Sequence, residues 1–379
     1  MESGKESSIR SPVDRPIEVQ PERLRHLLRD LVNIYSPSGK EGEILGYVEE
    51  YLRNQNLRVT KQRVDETRCN LIVLPEKKDE MVLCLVGHLD TVTAPDLDDY
   101  GFREEGDTIF GLGTADMKAG CAAMMEALTV MAEGGQTIPP VGLALVVDEE
   151  ENNKGVKSLV NEYNFPWAIV GEPTGLMPCL AHYGYLEVML RTQGKRAHSA
   201  MPELGRNAIE HMLKLLLQVT ESVGSRIDGL VYNIRELSGF PGGFVVPDSC
   251  EAWLDLHLPP SSRIDMLKTE FERLLEEGRE NIPDLDVQLN FEDTYSGYQI
   301  SEDRPLAKKL RQVYGGMSLA WEPQEFRSHS DGNVLWSAGV NPIVLGPGHL
   351  EAAHTAKESV SFCQVLRAAQ LYLNFALSL

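Results

Sequence analysis

Four short apolar runs, each ending at a histidine, an acid or a loop that leads to one, limit what this chain can fold into more than any other feature. The first, MVLCLVGHLDTV at residues 81–92, has the near-continuous hydrophobicity of a strand buried on both faces. The second spans residues 141–147, the third ends at Val170 and the fourth covers residues 342–345. Helical patterns lie around them. Leu24, Leu27, Leu28 and Leu31 recur at helical spacing, and Ile44, Leu45, Val48 and Leu52 do so again after SPSGKEGE breaks and caps the second helix. Residues 119–131 form a third helix, and a final one starts at about Glu358. With shorter strands at 57–64 and 70–74, the pattern predicts an α/β domain whose mixed central sheet is flanked by helices.

The middle of the chain follows another rule. Residues 185–192 and 251–258 alternate apolar and polar like half-exposed antiparallel strands, and amphipathic helices follow at 207–219 and 263–277. A strand–helix–strand–strand–helix–strand unit, an α+β fold of ferredoxin-like type, fits this order. The expected division is an N-terminal arm at 1–19, an α/β domain split between 20–180 and 292–379, and an insertion at 181–291.

Charge excludes several partners. The 379 residues carry 36 Lys+Arg against 57 Asp+Glu, a formal charge of −21 that disfavours nucleic acid and anionic membrane surfaces. Most of that acid reads as solvated surface. No apolar run approaches the roughly 18–20 residues of a membrane span, and the first twenty residues are polar, so they read as a mobile arm, not a signal peptide. Six scattered cysteines without a C-x-x-C pair read as small buried hydrophobes in a reducing compartment, which predicts a cytoplasmic protein.

The ends of the apolar runs carry the chemistry. His88 and Asp90 close the first run and Asp148-Glu149-Glu150 the second; Glu172 follows the third in VGEPTG. His354 lies in GPGHLEAAHT after the fourth, and Asp116, in GLGTADMKAG, opens the helix that leads away from the first. Ligands of open α/β sheets bind beyond the carboxyl ends of the strands, where these residues would gather. A lone histidine is usually a surface or core group, and an acidic run usually caps a loop. Gathered on one sheet edge, however, the carboxylates would repel one another without a cation. Two imidazoles and three carboxylates suit Zn²⁺, with Co²⁺ or Mn²⁺ as substitutes. Five side chains exceed the three that hold one catalytic zinc, so two metals about 3.5–4 Å apart, bridged by a carboxylate and a water, accommodate them.

The motifs GHLDTV, GLGTADMKAG, VVDEE, VGEPTG, GKRAHSAMPELGRNAI and GPGHLEAAHT resemble those of the acetylornithine deacetylase / succinyl-diaminopimelate desuccinylase / aminoacylase family of metallohydrolases, in family order from about residue 20 to the C-terminus. The resemblance implies a zinc-exopeptidase-like catalytic domain and an inserted dimerisation and lid domain. It makes His88 and Glu172 ligands of one metal, Glu150 and His354 ligands of the other, and Asp116 the bridge. Glu149 matches the general base, Asp90 the carboxylate that orients His88, and the Asp116–Met117 peptide is expected to be cis. His198 matches a histidine that reaches the partner's active site in family dimers, which implies a homodimer.

Asn207, Gly346 and Gly348 match positions that touch the carboxylate end of the substrate, although they read equally as a helix N-cap and tight backbone turns. Where the family carries an Arg in the strand LDLHLPP this chain has His257, with Arg235 or Arg327 as stand-ins. Ser330-Asp331-Gly332 resembles the desuccinylase branch, GPGHLEAAHT the acetylornithine branch. The expected activity is hydrolysis of an N-acyl amino acid by a di-zinc enzyme. The alternatives are a dipeptidase or carboxypeptidase with the same metals, and a non-catalytic ligand-binding homologue, whose signature would be loss of the base or of a ligand.

Overall fold

A computed structural model describes residues 18–76, 81–94, 101–134, 139–240 and 243–379. The chain divides into two compact units. The first comprises the chain up to Leu180 with Ile300–Gln324 and Ser330–Leu379; the second comprises Ala181–Gln299 and Glu325–His329. The second unit thus runs past residue 291 and takes in a short later segment that no local pattern announces.

In the first unit the sheet order is Val59–Arg63, Cys69–Val73, Val141–Val146, Leu83–His88, Trp167–Val170, Asn341–Val344. The last four strands run parallel, with His88 opposite Val146, Val86 opposite Val170, and Val344 opposite Val170. The first two are antiparallel, so the sheet is mixed as expected. Every residue of Leu83–His88, Val141–Val146 and Trp167–Val170 is buried, which explains their unbroken apolar sequence. Because four neighbours share one direction, their carboxyl ends open on the same edge of the sheet.

The helix Lys118–Glu133 is buried on all sides over most of its length and packs against Phe362–Leu377 and Pro21–Asn33. An all-round apolar helix belongs in a core, and Glu126, fully buried within it as Lys118 nearly is, needs a partner. Arg23 supplies one through a two-pronged pair, Nε donating to Oε2 at 2.7 Å and Nη2 to Oε1 at 2.9 Å. The backbone N–H of Gln20 adds a third bond to Oε1 at 2.7 Å. Arg23→Met should therefore destabilise the protein by about 3–5 kcal/mol, read from a denaturation midpoint, because it strands a buried carboxylate. Arg23→Met with Glu126→Leu should recover most of the loss; an unchanged single variant would show that Glu126 is not held as a charge.

Three local expectations change. Residues 1–17 of the expected arm lie outside the described residues, but Val19 is already buried and Gln20 anchored, so the chain is tied down from there. The final helix starts at Phe362, capped by Ser361 Oγ, which accepts from the Gln364 N–H at 3.2 Å; Glu358 lies before it. The N-cap of Gly42–Asn54 is Glu41, whose side chain makes no capping bond and faces Arg68 instead. Among the described residues, no helix is long and apolar enough to cross a membrane.

In the second unit four antiparallel strands are ordered Val231–Phe240, Ser249–Leu258, Gly184–Gln193, Asp286–Tyr295. Burial alternates residue by residue along Gly184–Gln193 and Ser249–Leu258. The buried set, with Leu186, Val188, Leu254 and Leu256, meets Leu215 and Val219 of Ala208–Arg226 and Phe271 and Leu274 of Ile264–Asn281. This is the strand–helix–strand–strand–helix–strand order that the periodicity predicts.

Candidate metal centre

The carboxyl edge of the parallel strands gathers the expected residues. His88 ends its strand fully buried, and its Nε2 lies 3.0 Å from Asp116 Oδ1, 3.6 Å from Glu172 Oε1 and 3.9 Å from Glu149 Oε2. The other oxygen of Asp116, Oδ2, lies 3.3 Å from His354 Nε2, which is also 3.1 Å from Glu150 Oε2. Two groups with ligand atoms within 4.8 Å of one another result, His88–Asp116–Glu172 and Asp116–Glu150–His354. Asp116 is common to both and turns a different oxygen to each histidine. Glu149 belongs to neither.

Backbone geometry accounts for the convergence. Asp148 adopts a left-handed conformation (φ 66°), which starts an irregular turn directly after the strand Val141–Val146. Its carbonyl accepts from the N–H groups of Asn152 and Asn153, and its carboxylate takes Arg68 Nη1 at 2.5 Å. Neighbouring Glu149 and Glu150 reach different histidines, Glu149 Oε2 lying 3.9 Å from His88 Nε2 and Glu150 Oε2 3.1 Å from His354 Nε2. The Asp116–Met117 peptide is cis, as the resemblance implies. Glycine is required where backbones touch: a Cβ on Gly120 would stand 2.2 Å from the Gly171 carbonyl oxygen, and one on Gly346 would stand 2.1 Å from the same atom. Both glycines let their segments close on the strand end that carries Glu172.

The electrostatics fit a cation. Burial, with Asp331, Glu150 and Asp116 around it, pushes the Glu149 carboxyl well above its ordinary range, and burial beside Asp116 does the same to Glu172. His354 is raised to about 11 by its bonds to Asp116 and Glu150. Glu172 Oε1 is buried without a hydrogen-bond partner. Burial thus draws Glu149 and Glu172 toward their neutral form, while His88 and His354 are drawn toward their charged form and hold Asp116 ionised between them. Dications would displace the protons on these groups, complete the orphaned oxygen and remove the repulsion. Nitrogen and oxygen donors in these numbers fit zinc.

Asp90 acts differently from the expectation. His88 Nδ1 faces the Asp90 backbone carbonyl at 2.9 Å, while the nearer carboxylate oxygen is 3.8 Å away. Asp90 Oδ2 instead accepts from Ser38 Oγ at 2.7 Å and from the Glu150 N–H at 3.1 Å. The carbonyl therefore selects the His88 tautomer, and the carboxylate ties the Glu150 turn to the end of the first strand.

The other expected site residues are placed as follows. Gly346 serves close packing, and Gly348 has φ 90° with its N–H donating to Gln364 Oε1. His198, Asn207, His257 and Arg327 belong to the second unit. His198 is exposed, and its Nδ1 accepts from the Ala200 N–H at 3.1 Å. Asn207 caps Ala208–Arg226, its Oδ1 accepting from Ile209 and Glu210 N–H. His257 packs on Tyr185 with ring centroids 5.4 Å apart, its buried Nδ1 lacks a hydrogen-bond partner, and Arg327 is exposed. Arg235 is taken by Glu187 at 2.5 Å and Asp255 at 3.3 Å, so it is no free stand-in for the missing arginine.

Four residues around the centre escape the sequence reading as site residues: Arg68, Ser38, Asp331 and Glu358. Asp331 is buried, and its Oδ1 accepts from Asn153 Nδ2, which also donates to the Glu149 carbonyl. The motif Ser330-Asp331-Gly332 is its signal in the sequence. For Arg68, Ser38 and Glu358 no spacing distinguishes them from surface polar residues.

The family model for peptidase family M20/M25/M40 matches residues 84–378. An acetylornithine deacetylase from Vibrio atlanticus (strain LGP32) is 27% identical over 352 residues, which cover 88% of this chain and 91% of that one. A tripeptidase from Staphylococcus aureus subsp. aureus Mu50 has a TM-score of 0.79 at 21% identity, over 95% of this chain and 99% of its own. Human carnosine dipeptidase 1 gives 0.78 at 12% identity, over 94% and 96%. At such identities the two structures speak to the fold alone, and they share it.

Proposed function

The chain belongs to peptidase family M20/M25/M40 and is by that membership a metal-dependent hydrolase of amide bonds; from this premise we propose that it is a di-zinc amidohydrolase that removes the acyl group of an N-acyl amino acid, with substrates of the acetylornithine type. The observation that carries this reading is Asp116, whose two oxygens face His88 and His354 from the shared corner of two ligand groups. His88 and Glu172 would hold one ion and Glu150 and His354 the other, with Co²⁺ or Mn²⁺ as substitutes. Bound zinc supplies Lewis acidity, which polarises a carbonyl and acidifies a water.

Glu149, close to His88 but in neither group, takes the proton of the attacking water and returns it to the leaving amine. Asp90 and Ser38 keep His88 and the Glu150 turn in register. His198 is assigned as a donor to the tetrahedral oxyanion, and its exposed ring supports that role. Likeness to acetylornithine deacetylases along most of the chain supports the N-acyl class. For the carboxylate end of the substrate we keep His257 and Arg327 as candidates; the contacts of Asn207, Gly346 and Gly348 are those of a cap and of backbone packing.

A homodimer is supported by the edge strand Val231–Phe240, which exposes Val231, Tyr232, Ile234 and Leu237, and by exposed Leu213 and Leu217 on Ala208–Arg226. Sedimentation showing a monomer at micromolar concentration would remove it. All six cysteines are unpaired, which supports the cytoplasmic assignment.

The test of substrate class is a panel of N-acetyl, N-succinyl and N-formyl amino acids beside dipeptides, with Zn²⁺ or Co²⁺ added. At least about tenfold higher kcat/KM for N-acyl amino acids is expected. Preference for dipeptides would establish the peptidase alternative, and zinc binding without turnover of any compound would favour a ligand-binding homologue.

A further inference from the structure

Three backbone N–H groups of the turn that carries Asp116 converge on one distant side chain, Glu358. Gly113 donates to Oε2 at 3.1 Å, while Ala115 and Asp116 donate to Oε1 at 2.8 and 3.0 Å. Glu358 is only 2% exposed, and its own carbonyl accepts from the Gly111 N–H at 3.2 Å. The next residues, Ser359–Ser361, pair antiparallel with Thr108–Phe110, placing Ser359 opposite Phe110. Residues on both sides of the turn's entry are therefore gripped by the same short segment, first through a strand ladder and then through a carboxylate.

That segment also carries His354, four residues before Glu358, with Nε2 at 3.3 Å from Asp116 Oδ2. One stretch of chain thus supplies a candidate ligand and holds the backbone of the shared one. The Asp116 side chain is drawn to two histidines, Oδ1 to His88 Nε2 at 3.0 Å and Oδ2 to His354 Nε2 at 3.3 Å, while its backbone N–H is held by Glu358. A neutral acceptor would satisfy the N–H groups with less desolvation, but bonds to a charged acceptor are shorter and roughly twice as strong.

We propose that Glu358 is a positioning residue, whose carboxylate staples the Asp116 turn to the segment bearing His354 and presets the spacing of the metal ligands. The inference rests on the two-metal reading and adds to it the device that keeps the ligands in reach before any ion arrives. Outer groups that orient ligands commonly change metal affinity by about ten- to a hundredfold.

The experiment compares wild type, Glu358→Gln and Glu358→Asp, each stripped of metal and titrated with Zn²⁺ against a chromophoric chelator, with circular dichroism of every metal-free form. Gln keeps the size but aims an amide donor at an N–H; Asp keeps the charge but falls one methylene short. Both variants are expected to fold and to bind at least one zinc equivalent about ten- to a hundredfold more weakly than wild type. At saturating zinc, kcat should fall while KM stays within about twofold. Folded variants with wild-type zinc constants would overturn the proposal, even if their melting midpoints fell. Failure of both variants to fold would overturn it too, since Glu358 would then be part of the fold and not a positioning group. A wild type that binds no zinc would instead overturn the two-metal reading itself.

Discussion

Glu149→Gln is expected to lower kcat by about 10²–10⁴-fold while the protein retains its metal. The substitution is nearly isosteric, and the residue's carbonyl remains held by Asn153 Nδ2 at 3.3 Å, so the turn keeps its shape. Glu149 is absent from both ligand groups, so its loss leaves each of them intact. What disappears is a carboxylate able to take a proton beside His88, from which its Oε2 lies 3.9 Å. Metal analysis and kinetics on the same preparation decide the matter. Turnover within about tenfold of wild type would remove Glu149 from the base role; loss of zinc together with turnover would make it a ligand. Mixing this variant with His198→Ala should restore part of the activity in heterodimers if His198 serves the neighbouring subunit. No recovery would confine His198 to its own subunit or exclude it.

Asp116→Ala should empty both zinc positions together. Other candidate ligands each belong to one group, whereas Asp116 Oδ1 is 3.0 Å from His88 Nε2 and Oδ2 is 3.3 Å from His354 Nε2. Removing it leaves one histidine and one glutamate per group, below the three protein ligands that catalytic zinc usually requires. The variant is a clean probe, because Glu358 binds the backbone N–H of residue 116, which alanine retains. Elemental analysis after dialysis should fall from two zinc equivalents to none, with turnover lost. A variant still holding one full equivalent would show that the two groups are independent and that Asp116 does not bridge.

Much of this centre was legible in the sequence because its ligands sit at strand ends. A strand buried on both faces writes itself as an unbroken apolar run, and the first polar residues after it must lie at the sheet edge; His88, Glu149, Glu150 and Glu172 follow that rule. Alternation of period two exposed the second unit equally directly, in Gly184–Gln193 and Ser249–Leu258. The supporting groups left no such trace. Glu358 meets Gly113 across 245 residues, Arg68 meets Asp148 across 80, and Arg23 meets Glu126 across 103. Each is a charged residue whose neighbours in sequence look like surface, and burial is conferred by a partner that local pattern does not name. For this reason the sequence pattern predicts a helix start at about Glu358, while the helix waits for the Ser361 cap. The motif assigns the Asp90 carboxylate to His88, yet backbone geometry gives His88 Nδ1 to the Asp90 carbonyl.

The central claim is a pair of metals sharing Asp116, and titration of the metal-free wild-type protein with Zn²⁺ tests it most directly. Binding should saturate at two equivalents per chain, with proton release as His354, raised to about 11, gives up its proton to the metal, and hydrolysis of an N-acyl amino acid should return with the zinc. Saturation at a single equivalent, or full hydrolysis by protein from which chelation has removed all metal, would contradict the account.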